Sequence, residues 1–504
     1  MINTQREENG PGAVPPFVLA VDVGSSSVRA LLYDSRGNAL PDCDAVIDHV
    51  LPAYPDGGVE DDPDVLAEIV EQAVDAVLEA AGRRAGDIAA VGMDTFVGNL
   101  VGIGYDGSPT TPLYTYADAR GAGHVRRMRG DLDTDAVYQR TGVKLHTAYS
   151  TARLAWLRDE RPRQFQRTER WMDFATYLYS RWFGRRVPCS FSVASWSGLL
   201  DRRALEWDQP ILGYLGIDRA HLPDLADYDS VISGLSDEHA RRWPALKNTP
   251  FCLAVGDGAA ANVGEGCVEP GDTAISVGTT GAVRTGMRGK LPRVPDGLSV
   301  FQVTRDLFLL GGAVTDAGSL YAWLHSTLRV PSGAELDEMV DSLPPDGHGL
   351  TVLPFLRGER SPGWAEDATG TISGIRSGTT AGEIIRASLE AVAYRFAVIL
   401  QLLEGATPPA GDIVLGGGGA LSSPAWTQIF AGVLDRPVIA SGEPQSTSRG
   451  AALLALKAIG ALDSVGGLPA ERGPRYTPKP EERAAYRAGL QRHQKMYDTL
   501  LKSY

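Results

Sequence analysis

The sequence predicts an α/β protein built from two related domains, and three observations predict it. The chain has 504 residues, room for several domains at about 100–200 residues each. Apolar runs of strand length alternate with amphipathic runs of helix length in both halves. One strand–turn–strand stretch also recurs half a chain later: residues 274–283, "AISVGTTGAV", follow the pattern of residues 20–29, "AVDVGSSSVR", at an offset of 254 positions.

Residues 1–16, "MINTQREENGPGAVPP", are polar and rich in proline and glycine, and read as a disordered tail rather than a signal peptide. A buried strand over 17–23 carries Asp22 near its end and runs into Gly24-Ser25-Ser26-Ser27. Such a turn leaves backbone N–H groups open to an approaching anion, for which phosphate is the natural guest. A carboxylate beside a phosphate repels it unless a cation sits between them, and Mg²⁺ suits that place. The alternative is an ordinary β-hairpin, completed by "VRALLYD" and the turn at 35–38. The second copy has Ser276 where the first has Asp22, so one loop alone carries the metal-facing carboxylate. Two such loops suggest a polyphosphate gripped between two domains.

Residues 63–82 then give a helix opened by Pro63 and stopped by Gly82. "DIAAVGMDTFVGNLVGIGYDG" reads as strand, break and strand, ending in a turn. Its Gly102-Ile-Gly104-Tyr-Asp-Gly107 matches GxGxxG only formally. "SPTTPLYTY" follows in place of the helix that a dinucleotide loop needs. The stretch 140–250 is rich in Trp, Arg and short helices such as "STARLAWLRDERP" and "WMDFATYLYSRWFG", and reads as substrate-side elaboration. Later come the long helix "TAGEIIRASLEAVAYRFAVILQLLE", the strand–glycine–helix run "DIVLGGGGALSSPAWTQIFAGVLDRPV", the helix "STSRGAALLALKAIG", and a C-terminal amphipathic helix.

Composition narrows the partners. Lys and Arg number 48 against 62 Asp and Glu, a net charge of −14, with no dense basic run. Nucleic acid is therefore not expected. No apolar run reaches the roughly 18 residues of a membrane span, which points to a cytoplasmic protein without a membrane partner. Cys43, Cys189, Cys252 and Cys267 lack metal spacing and read as buried reduced thiols.

Three further constellations carry chemistry. Gly416 to Gly419 between strand and helix either admit the nucleoside end of ATP or make a tight turn. Asp257 in Gly256-Asp257-Gly258 either touches a substrate hydroxyl or caps a helix over 258–266. Asp118 and Arg120 either face a polyhydroxy ligand or form a surface pair. No HExxH, GxSxG or Walker A sequence occurs.

Asp22-Val-Gly-Ser-Ser-Ser-Val-Arg29, Gly256-Asp257-Gly258, Gly278-Thr279-Thr280-Gly281 and Gly416-Gly-Gly-Gly419-Ala-Leu-Ser-Ser-Pro-Ala-Trp426 resemble, in order and spacing, the FGGY carbohydrate kinases. The resemblance runs from about Phe17 to the C-terminus and is strongest to gluconokinases, through "LPFLRGERSPGW" and the stretch around Asp257. It implies two actin-like (ribonuclease H-like) domains, with an N-terminal domain over 17–255 on the sugar side and a C-terminal domain over 256–504 on the ATP side. The catalytic cleft lies between them. It further implies ATP and Mg²⁺ as cofactors, with the metal near Asp22 and Asp257 as the base that deprotonates the acceptor hydroxyl. Gly24, Ser25, Ser26, Ser27, Arg29, Gly278, Thr279, Thr280 and Gly281 would meet phosphates. Gly318, Gly417, Gly418, Gly419 and Ala420 would lie along the adenosine.

The implied reaction is phosphorylation of a sugar or sugar acid, gluconate first. The alternatives are a xylulokinase-type pentulose kinase, an actin-like ATPase without an acceptor, and a sugar-binding protein that has lost turnover. Arg120 is the expected cationic partner of a substrate carboxylate. Assembly as a homodimer is left open. Three departures bear on the sugar: Val97-Gly98 stands where relatives carry Met-His, Trp-His or Arg-Glu, Tyr116 replaces a tryptophan, and Arg153 replaces a lysine.

Overall fold

In the computed structural model, which describes residues 13–501, strand β1 (Phe17–Val23) is buried along its whole length. It explains the apolar run, since β1 has a strand on each side: antiparallel β2 (Ser27–Tyr33) and parallel β4 (Ile88–Thr95). With β3 (Ala39–Asp48) and β5 (Val255–Gly256) these form a five-stranded sheet in the order β5-β4-β1-β2-β3. Helix α1 (Pro63–Ala81) packs on its β2–β3 side. Asp62 caps α1 by accepting from the N–H groups of Asp64 and Val65, and Gly82 ends it at φ 54°.

The second half builds a seven-stranded sheet from β6 (Thr273–Val277), β7 (Gly281–Arg288), β8 (Ser299–Gln302), β9 (Leu307–Val314), β10 (Ile413–Gly416), β11 (Val438–Ser441) and β12 (Arg472–Tyr476), in the order β8-β9-β7-β6-β10-β11-β12. The internal repeat is present at the level of pairing: β6 joins β7 antiparallel and β10 parallel, as β1 joins β2 and β4. The turns differ in length. Val23 faces Val28 across the first hairpin, whereas Val277 faces Gly281 across the second, which is one residue shorter. Gly281 thus occupies the place of Val28, not that of Ser27 as a constant offset implies.

The helices of this half include α2 (Asp257–Gly264), α3 (Gly318–Thr327), α4 (Ala381–Glu404), α5 (Gly418–Leu421), α6 (Pro424–Leu434), α7 (Ser446–Ala458) and α8 (Arg483–Leu501), with a further one over Ala334–Ser342. A Thr380–Glu383 capping box starts α4. Helix α7 lies between the halves, packed on α2 and across β1 and β4. Small residues allow the approach: a Cβ at Gly92 would stand 2.4 Å from the Ala451 oxygen, and one at Gly264 1.8 Å from that of Ser446. One apolar cluster accordingly joins Val18 and Ala20 to Ala259, Val263 and Leu453. The boundary expected between 255 and 256 runs through β5, which is hydrogen-bonded into the first sheet.

The middle of the chain contains the expected short helices, Ser150–Glu160 and Phe174–Phe183. The GxGxxG match is a turn between short strands, closed by the Gly107 N–H on the Gly104 carbonyl at 3.0 Å. The disordered tail expected over 1–16 does not extend to Val14, whose carbonyl accepts from the Ser35 N–H at 2.9 Å; residues 1–12 lie outside the described residues. All four cysteines are free and buried. Among the described residues no helix is long and apolar enough to cross a membrane.

Candidate active site

A cavity of about 590 Å³ opens between the two sheets, with Ser25 and Ser26 on one wall and Thr279 and Thr280 on another. The sequence-predicted loops thus meet at one space. Gly24 closes the first turn through its N–H on the Ser27 carbonyl at 3.0 Å. Gly278 closes the second on Thr280 at 2.9 Å. Gly318 stands behind the second loop rather than on the cavity. Its N–H donates to the Gly278 carbonyl, and a Cβ there would fall 2.5 Å from that oxygen. Gly417 lines the cavity at φ 90°, where a Cβ would meet the Val277 carbonyl at 2.6 Å. Gly418 has open space beside it, and Gly419 packs on the same carbonyl. Ala420 is fully buried in the second core, so its side chain does not face the cavity.

Asp22, Asp94 and Arg29 form a row across the first sheet, since Asp22 is in register with Arg29 on β2 and with Asp94 on β4. The Arg29 guanidinium is 3.5 Å from the Asp22 carboxylate, and Arg29 is not among the residues that line the cavity. Burial raises the Asp22 carboxyl above its usual range, with Arg29 opposing. Asp94 is pushed well above that range, by burial first and by Asp22 next. Both Asp94 oxygens are buried, and beyond the adjacent Asp22 carboxyl they have no hydrogen-bond partner among the described residues. Two buried carboxyls side by side, with no other donor on the Asp94 oxygens, fit a hard cation bound through oxygen ligands.

Asp257 opens α2 on the cavity wall, and Gly256 takes the capping position. Each flanking glycine has a steric reason. A Cβ at Gly256 would meet Trp196 Nε1 at 2.7 Å and Val97 at 2.8 Å, and one at Gly258 would meet the Arg284 guanidinium at 2.9 Å. The Asp257 carboxylate accepts from the Gly258 N–H at 2.7 Å. Burial pushes its pKa up to about 6, with Asp22 adding to the rise and the Gly258 N–H and Arg284 pulling against it.

Asp118 and Arg120 do not reach this cavity, contrary to the sequence reading. Asp118 is buried and ion-paired to Arg120. The Arg120 guanidinium also pairs with Glu60 and lies 4.5 Å from the centre of the Trp156 ring. An arginine so committed braces the first domain and has no fork free for a substrate carboxylate. Arg153 is likewise structural, donating to the carbonyls of Thr115 at 2.8 Å, Thr147 at 2.9 Å and Gly98. Val97 and Gly98 line the cavity, with the Tyr116 hydroxyl 3.5 Å from Ser25 Oγ.

The residues that sequence reasoning missed are Asp94, Arg284, Arg360 and the aromatic wall. Trp196 stacks on Phe301 at 3.4 Å between ring centres, and Trp364 and Tyr149 complete the cluster. Period-2 alternation along β7 holds a usable signal. Val283 and Thr285 are buried while Ala282 and Arg284 line the cavity, so an arginine in that strand had to face something. Nothing local marks Arg360.

Two related hairpin loops aimed at one cavity, with the Asp257 carboxylate on its wall, are the construction of a small-molecule kinase. The chain belongs to the FGGY family of carbohydrate kinases, matching its N-terminal domain over residues 17–264 and its C-terminal domain over 273–459. The first match extends through α2, past the expected boundary. A gluconokinase of Bacillus subtilis is 25% identical over 93% of this chain and 93% of its own length. A glycerol kinase of Trichlorobacter lovleyi is 31% identical over 88% of this chain and 90% of its own. The solved structure of ligand-bound xylulose kinase from Lactobacillus acidophilus has a TM-score of 0.89 and 25% identity, covering 97% of this chain and 99% of that one. The protein is a carbohydrate kinase with the two-domain fold of that family, which sets aside an ATPase without an acceptor.

Proposed function

We propose that the protein transfers the γ-phosphoryl group of ATP to a hydroxyl of gluconate, with Asp257 as general base. The observation that carries the reading is the position of Asp257, the first residue of α2, on the cavity wall beside the two phosphate-type loops. The Ser25–Ser26 and Thr279–Thr280 turns bind the phosphates through hydroxyls and backbone N–H groups. Gly417 and Gly418 let the backbone approach the nucleoside. Asp22 and Asp94 would hold Mg²⁺, which would supply positive charge to the phosphate oxygens. Asp257 accepts the hydroxyl proton as the new bond forms. Both halves contribute walls, so their closure aligns acceptor with phosphate and expels water.

The gluconokinase relative supports gluconate as the acceptor. The likeness to a xylulose kinase structure supports a pentulose as the second reading. A coupled assay of ADP release across hexonates, pentuloses, polyols and glycerol separates them. Gluconate is expected to give the highest kcat/KM, and a pentulose or glycerol in first place overturns the acceptor assignment.

A further inference from the structure

We infer that Arg284 and Arg360 form an anion subsite in the acceptor half of the cavity and hold the carboxylate of a sugar acid. The inference rests on the reading of the acceptor as a sugar acid and names the groups that recognise it.

Both guanidinium groups line the cavity. Arg284 extends from β7 over Gly258, with its guanidinium carbon 5.4 Å from the centre of the Trp196 ring. Arg360 projects from the loop after strand Thr351–Leu353 to 5.8 Å from the centre of the Tyr116 ring. That loop is fixed by Glu359, whose carboxylate accepts from the Gly363 N–H at 3.2 Å and the Tyr497 hydroxyl at 2.6 Å and is ion-paired to Arg395.

The partners of the other enclosed arginines make these two stand out. Arg386 pairs with Glu390, Arg395 with Glu359, and Arg153 and Arg449 donate to backbone carbonyls. Arg284 and Arg360 have neither an ion pair nor a side-chain hydrogen bond among the described residues, and burial lowers the pKa of both. The donors around them are also idle: Trp196 Nε1, Trp364 Nε1 and Ser361 Oγ are buried without partners, and each of these residues lines the same cavity. Trp196 and Trp364 are each only 8% exposed. A wall of unpaired donors and two arginines without an ion pair, of which Arg284 feels the Asp257 carboxylate only at longer range, is costly until an anion with several acceptor oxygens fills it. A guanidinium suits a carboxylate because its fork matches both oxygens.

A phosphate is the other anion to weigh. Arg284 lies three residues along β7 from Gly281, roughly 10 Å at about 3.3 Å per residue, from the turn that carries Thr279 and Thr280. Its neighbours Trp196 and Tyr149 come from the first half of the chain and form an aromatic face suited to a carbon skeleton. With Val97 and Gly98 offering no polar side chain, recognition of the acceptor passes to the arginines.

The test is Arg284→Gln and Arg360→Gln in the full-length chain. Calorimetry without nucleotide measures binding of gluconate, other hexonates and pentonates, and steady-state assays compare sugar acids with neutral acceptors and ATP. Each variant is expected to weaken sugar-acid binding by about 10- to 100-fold, the scale of hydrogen bonds to a charged group. KM for gluconate should rise more than KM for ATP or for a neutral acceptor. The unliganded Arg360→Gln variant should melt no lower than wild type, since a charge without an ion pair is removed from a half-buried position, and Arg284→Lys should restore only part of the binding.

Equal losses with sugar acid and neutral acceptor, or a loss centred on ATP, overturn the subsite in favour of a phosphate contact. Wild type that phosphorylates gluconate while both variants match it overturns the subsite and leaves the gluconate reading standing. Arginine-dependent binding of another sugar acid without gluconate turnover supports the subsite and rejects gluconate. Wild type that binds no sugar acid overturns both.

Discussion

Gly450 of α7 packs directly on the carbonyl of Ala260 in α2: a Cβ at position 450 would stand 1.9 Å from that oxygen. Backbone against backbone leaves no adjustable side chain between the helix that spans the two halves and the helix that begins with Asp257. Gly450→Ala should therefore force the helices apart and destabilise the protein by about 1–3 kcal/mol, as overpacking does. Urea denaturation measures it. The displacement should also reach Asp257, so kcat should fall more than KM for ATP changes, and an unchanged stability would show that α7 can shift without cost.

Asp257→Asn keeps size and shape but removes the base. The kcat should fall by about 10²–10⁴, with nucleotide binding little changed. Circular dichroism shows whether the fold is kept. A variant that retained most of its acceptor-dependent turnover would return Asp257 to the role of a helix-starting residue.

The same carboxylate sets a pH profile. Asp257 must be ionised to accept a proton, and burial raises its pKa to about 6. The kcat/KM should therefore rise as pH increases through about 6 and level off above it. Arg284 pulls that value down, so Arg284→Gln should move the limb to higher pH. A limb that stays in place in the variant separates the two groups electrostatically.

Asp22→Ala should abolish turnover at ordinary Mg²⁺ while leaving the fold intact, because Asp22 stands at a strand end beside Asp94 rather than in the apolar core. Mn²⁺ binding followed by electron paramagnetic resonance gives a readout apart from activity, and unchanged Mn²⁺ affinity would remove Asp22 from the metal site.

Glu359 and Arg395 are both almost completely enclosed. Removing the carboxylate leaves a buried guanidinium without its partner. Glu359→Ala should cost about 3–5 kcal/mol of stability, measured by denaturant unfolding. It should also loosen the loop that carries Arg360, raising KM for the acceptor in whatever fraction remains folded.

The fold was legible wherever one stretch of chain held its own pattern. Apolar runs gave the strands, Pro63 and Gly82 gave the ends of α1, and the repeated glycine–hydroxyl turns gave the two halves. The lining of the candidate site was legible where the residues sat in a contiguous motif, as at Ser25, Thr279 and Asp257. It was misread where the partner lies far along the chain. Asp118 and Arg120 suggested a ligand because Glu60 and Trp156, which occupy the arginine, are distant in sequence. Arg360 went unseen for the converse reason, as its freedom from partners is a fact of three dimensions. Asp94 needed the β1–β4 register to place it beside Asp22.

Gly98, at φ +68°, is hemmed in: a Cβ there would lie 2.5 Å from the carbonyl oxygen of Ala148 and 3.1 Å from the Tyr116 Cβ. Any attempt to reprogram this enzyme toward a new sugar by grafting a polar residue at 98 meets that wall before it meets a substrate. The 146–149 segment would have to be rebuilt in the same step. A side chain at 98 therefore requires the Ala148 carbonyl to move with it. Val97, free of that collision, is the residue from which a change of acceptor can begin.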